Sequence, residues 1–177
     1  WNRNPAKARA LEVLGARAFD DAAAALAGAE RIHLSLADDA SVDAVLEPLA
    51  ASIPAGCWIV DHTTTAVRPT AERVARWDAR GRVFVHAPVF MAPSNCAEGT
   101  GLMLVSGDPT RHDALLPALQ QMTGKGLYLG AEPQRTDEQD RTGRDRRDHG
   151  RVDRPDERLV HREVDRLSEG APGCLAL

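Results

Sequence analysis

The chain has 177 residues, 43% of them hydrophobic, which suits one domain with a real core plus an appendage. Its formal net charge of -4 argues against a nucleic-acid or polyanion binder. No apolar run approaches the ~20 residues needed to span a bilayer, and no basic and apolar leader pattern opens the chain, so a cytoplasmic protein is expected. Cys57, Cys96 and Cys174 lack C-x-x-C spacing and the six histidines are scattered, so neither a disulfide framework nor a metal site is expected.

In chain order, Asn4 is a good N-cap and Pro5 suits a first helical position, so "AKARALEVL" is expected to be helical, with Gly15 as its stop. "DDAAAALAGA" is a second expected helix. "RIHLSLA" alternates Ile32, Leu34 and Leu36 as a strand does. "DDASVDAVLEPLAASI" opens a helix with acids that favour its dipole, and "CWIVDHTT" is an apolar strand with a polar end. The helix "RPTAERVARWDARG", the strands "RVFVHAPV" and "GLMLVSGD", the helix "TRHDALLPALQQM" and the strand "GLYLG" follow.

Such regular alternation of buried strands and helices predicts an α/β fold, doubly wound, with a mainly parallel sheet. Ligands of such sheets sit at the carboxyl ends of the strands. Three of those ends carry suggestive residues: Asn2-Arg3, Leu36-Ala37-Asp38, and Asp61-His62-Thr63-Thr64. From about Arg135 the composition changes. Between Arg135 and Arg166 there are ten arginines and ten acids but only four aliphatic residues. That composition cannot repay the entropy of ordering, so residues 131–177 are expected to form a disordered charged tail.

Four segments carry a family resemblance in order and at the right spacing. They are "NRNPAKARALEVLGA", "LSLADDASVDAVL", "VDHTTTAVRPT" and "VFVHAPVFMAPSNCAEGTGLMLVSGD". From Asn2 to about Gly130 the chain resembles the cofactor domain of the β-hydroxyacid dehydrogenases, the group that includes 3-hydroxyisobutyrate and 6-phosphogluconate dehydrogenase. The resemblance implies a Rossmann-like domain over 1–130 in an NAD(P)-dependent oxidoreductase acting on a small hydroxy acid, in a parent enzyme that is a homo-oligomer. Asn2 and Arg3 then lie where the adenine ribose is met, and an arginine there accommodates the 2′-phosphate of NADP. Leu36 and Ala37 would contact the cofactor through main-chain atoms, and Thr64 matches the family threonine near the nicotinamide. The residue pattern by itself equally suits an exposed Arg3 on a helix-entry loop, and for Thr63 and Thr64 it favours a strand end with an ST-turn or helix cap, which the family resemblance reverses.

The substrate segment departs from the family's pattern. His86 stands where the family has Asp, and Phe90-Met91-Ala92 where it has Ser-Gly-Gly. Met91, Ala92 and Asn95 are the candidate substrate residues, with Ser94 and Asn95 able to rebuild an anion site; "VFM" could equally continue a strand. The altered segment also suits an imine reductase on the same scaffold, and the charged tail a non-catalytic interaction module. The family's G-x-G-x-x-G turn and its catalytic lysine find no match here. Lys7 and Lys125 stand in the wrong places, so no catalytic residue is assigned. On this reading the chain is a fragment without the first βα unit and the helical C-terminal domain, with a tail translated in a shifted frame.

Overall fold

The computed structural model describes residues 1–131. These divide at Ala87/Pro88 into two compact units. The charged segment from Arg135 onward lies outside the described residues.

The first unit opens on helix α1 (Pro5–Arg9), where the Asn4 side chain accepts the Ala6 N–H at 3.1 Å. The expected longer helix breaks at Ala10, and a 3-10 turn (Glu12–Leu14) ends on Gly15 in the left-handed region, φ 89°. Asp21 caps the short α2 (Ala22–Ala25), far less than the ten residues expected. Three strands follow: β1 (Arg31–Leu34), β2 (Trp58–Asp61) and β3 (Val83–His86). They form one parallel sheet in the order β1-β2-β3, with His33 beside Val60 and Asp61 beside His86.

Helix α3 (Asp39–Leu46) connects β1 to β2, and α4 (Val67–Ala79) connects β2 to β3. Val42, Leu46 and Trp77 from these helices join Ile32, Leu34, Ile59 and Phe84 in one buried cluster. The same two helices are riveted by charge. Arg73, with its side chain 0% exposed, makes a two-point contact with Asp43 at 2.9 and 3.1 Å and reaches Asp39 at 3.0 Å. One and two turns on, Arg76 meets Asp43 and Glu47, and Arg80 meets Glu47. Spacings of three and four residues place these partners on facing helix stripes.

The second unit pairs β4 (Val89–Phe90) antiparallel with β5 (Leu102–Val105), and β5 parallel with β6 (Lys125–Tyr128). Helix α6 (Pro109–Leu119) makes the crossover from β5 to β6. The stretch "RVFVHAPV" is thus two strands, separated at Ala87-Pro88. Between β4 and β5 lies α5 (Pro93–Glu98), a short helix that periodicity did not reveal. Among the described residues no helix is long and apolar enough to cross a membrane.

Candidate functional site

At the carboxyl edge of the first unit's sheet, side chains stitch two loops together. Thr63, only 2% exposed, commits every polar group it has. Its hydroxyl accepts the Leu36 N–H at 3.0 Å, its N–H donates to Asp61 Oδ1 at 2.9 Å, and its carbonyl accepts from His86 Nε2 at 3.0 Å. His86 Nε2 also lies 3.0 Å from Thr65 Oγ1, which in turn lies 2.7 Å from Thr70 Oγ1. Because a carbonyl only accepts, the His86 proton is on Nε2. The Ala66 N–H donates to Asp39 Oδ2 at 2.9 Å, anchoring the far end of the loop to α3. Ala37 and Thr64 remain exposed on this fastened scaffold, with Leu36 half-buried.

A second polar element crosses the sheet next to it. His62 Nδ1 is 2.7 Å from the Ala87 carbonyl, so it carries a proton and donates. In the neutral ring Nε2 is then an acceptor, and His33 Nδ1 donates to it at 3.0 Å. The two rings stack with centroids 5.3 Å apart. Desolvation lowers the pKa of all three histidines, although His33 keeps part of its surface exposed. His33 falls from 6.5 to about 4 through desolvation, with His62 and Arg31 adding repulsion. His62 is lowered by desolvation and by His86, against the Ala87 carbonyl and Asp61. His86 is lowered by desolvation and by Arg73, against the Thr63 carbonyl, Asp61 and Asp39. Among the described residues Asp61 Oδ2 is buried without a hydrogen-bond partner, and no group of His, Cys, Asp or Glu could hold a metal ion.

The other expected residues are placed as follows. Asn2 is half-buried and turns the chain by accepting the Asn4 N–H at 2.9 Å, while Arg3 is exposed. Met91, Ala92 and Asn95 belong to the second unit. There Asn95 Oδ1 accepts the Ala92 N–H at 2.9 Å and its Nδ2 donates to Thr100 at 3.1 Å, so both ends of the amide are engaged in closing α5. Met91 lies over Gly101 (φ 102°), where an added Cβ would come within 2.7 Å of Met91 Cγ. Sequence reasoning found the Thr63-Thr64 end but not the histidine pair. The signal for it is parity: His33 pairs with Val60, and His62 lies two residues further along the same face.

A parallel βαβαβ unit with its fastened loops at the carboxyl edge is the architecture of a dinucleotide-binding domain. The sequence pattern of the NAD binding domain of 6-phosphogluconate dehydrogenase matches residues 1–130, and the chain belongs to that family. Among solved structures it is similar to an imine reductase from Pseudomonas sp., with 28% identity, a TM-score of 0.66, and coverage of 75% of this chain and 46% of that one. It is also similar to a Mycobacterium tuberculosis 3-hydroxyisobutyrate dehydrogenase solved with L-serine, at 24% identity and a TM-score of 0.70 over 74% of this chain and 45% of that one. Psf3, solved with NADP+, shares the fold at 22% identity and a TM-score of 0.68, over 76% of this chain and 49% of that one. The chain thus spans about half the length of these solved relatives. No curated protein matches its sequence.

Proposed function

We propose that residues 1–130 bind a nicotinamide dinucleotide, NADP in preference to NAD, as the cofactor domain of an oxidoreductase acting on a small hydroxy acid. The observation that carries this reading is the tie between the Leu36 N–H and Thr63, which holds Leu36-Ala37 and Thr64 at the carboxyl edge of the parallel sheet. In this role Leu36 and Ala37 offer main-chain atoms and Thr64 a hydroxyl, with Asn2 and Arg3 at the adenosine end. The Arg3 guanidinium suits a 2′-phosphate because it is planar, charged and exposed. When bound, the nicotinamide ring supplies or takes the hydride. The family matched over residues 1–130 favours hydroxy-acid chemistry over imine reduction. Met91, Ala92 and Asn95 of the second unit are the candidate substrate residues of this reading, and no residue of this chain is assigned the proton-transfer role.

Losing one charge-assisted phosphate contact weakens binding by about ten- to a hundred-fold. Arg3→Ala is therefore expected to raise the NADPH dissociation constant by that factor and to leave NADH almost unchanged, read by fluorescence titration. If the wild-type chain binds NADH and NADPH equally and Arg3→Ala changes neither, NADP selection by Arg3 is wrong.

A further inference from the structure

We infer that Thr63 is the positioning residue of the cofactor site, the side chain that sets the distance between its two loops without itself touching the nucleotide. The inference rests on the cofactor reading above and concerns how that site is built.

Thr63 is buried, so it is not a contact residue. Its three polar groups nevertheless reach three different strand ends. The hydroxyl holds the Leu36 N–H after β1, the N–H holds Asp61 at the end of β2, and the carbonyl takes the His86 proton at the end of β3. Leu36 and Thr64 flank these contacts on either side, so both candidate cofactor positions are referred to one residue. A main-chain N–H donates along a narrow direction. Fixing the Leu36 N–H therefore fixes the orientation of the Ser35–Leu36 peptide, the plane from which the chain enters Leu36 and Ala37. Thr64 follows Thr63 directly, so its exposed hydroxyl is aimed by the same anchor. His86 supports the arrangement from β3, and its donation to both Thr63 O and Thr65 Oγ1 keeps the loop from swinging outward.

Valine has threonine's shape but no hydroxyl, and serine keeps the hydroxyl without the methyl. In Thr63→Val the Leu36 N–H loses its acceptor and the loop can move. A misplaced pair of contacts is expected to cost about ten-fold in NADPH affinity. Thr63→Ser is expected to stay within about two-fold of wild type because the hydrogen bond is retained. Ile53→Ala is the control for lost stability alone, since Ile53 is buried at 1% in the hydrophobic cluster and its aliphatic side chain takes no part in the hydrogen bonds that tie the strand-end loops. It is expected to lower the thermal midpoint of the full chain and leave NADPH affinity unchanged below that midpoint. Full-chain NADPH titrations of the four proteins decide the matter. Weakening in Thr63→Val with rescue by Thr63→Ser supports the inference. Equal affinities in wild type and Thr63→Val overturn it, as does an equal loss in Thr63→Val and Ile53→Ala. No NADPH binding by the wild-type chain would instead overturn the cofactor reading itself.

Discussion

Arg73→Met is expected to lower the unfolding free energy by about 3 kcal/mol, near the lower end for breaking a buried ion pair by removing one partner. Arg73 is fully buried and meets two carboxylates, whereas Asp39 and Asp43 keep 29% and 38% of their side chains exposed. Water can therefore compensate the orphaned acids in part, and this keeps the loss from reaching the upper end of the range. Burial by itself would lower the Arg73 pKa, but Asp43 and Asp39 raise it, so the guanidinium stays charged inside the unit. The reciprocal effect holds Asp43 below its usual value, mainly through the hydrogen bond from Arg73. Arg73→Lys also loses stability, because an ammonium cannot make the two-point contact with Asp43. Urea unfolding checks both variants. With a slope of about 2 kcal/mol per molar, the Arg73→Met midpoint should fall by about 1.5 M. An unchanged midpoint would mean that α3 and α4 are held by their apolar stripes alone.

Acidification from about pH 7.5 to 5 is expected to be the second large loss. His33, His62 and His86 all have folded-state pKa values below their ordinary 6.5. The unfolded chain therefore takes up protons first as the pH drops. The stability that the neutral rings contribute is complete above 6.5 and is lost as pH falls toward the folded values, about 4 for His33. Each fully shifted group can contribute up to about 1.4 kcal/mol per pH unit in that window, and His33, being exposed, contributes less than its shift implies. Below that, protonation of Asp43 removes the Arg73 pair as well, since its depressed pKa stabilises only above the folded value. His62→Gln tests the cause. A glutamine can donate to Ala87 O and accept from His33 without titrating, so its urea midpoint should fall less between pH 7.5 and 5 than that of wild type. Equal wild-type midpoints at the two pH values would contradict the assignment of neutral histidines.

The fold class was legible because "RIHLSLA" alternates as a strand does and "CWIVDHTT" is a short apolar run, with a helical pattern between them, the order that a parallel layered sheet gives. Boundaries were less legible where proline acts locally. "RVFVHAPV" reads as one strand by hydrophobicity, yet Pro88 has no N–H for a ladder, and its carbonyl instead accepts the Leu104 N–H within the second sheet. Likewise α3 stops at Leu46 rather than running to Ile53, since Pro48 cannot extend the i→i−4 series. Helix α5 is too short for periodicity to register, and its first turn is closed by the Asn95 side chain, which accepts the Ala92 N–H. At the candidate site, polar residues at strand ends could be read from the order of residues. The direction of each hydrogen bond could not, because the proton on His62 is dictated by a carbonyl 25 residues away.

The central claim is that a nicotinamide nucleotide is held at the carboxyl ends of β1 and β2. Adding NADPH to the isotope-labelled 177-residue chain and following its backbone amides by NMR reads that claim residue by residue. The expected result is saturable shifts at Leu36, Ala37 and Thr64, with NADH giving weaker shifts at the same amides. Saturation with those three amides unmoved, or no shift anywhere at millimolar NADPH, would contradict it.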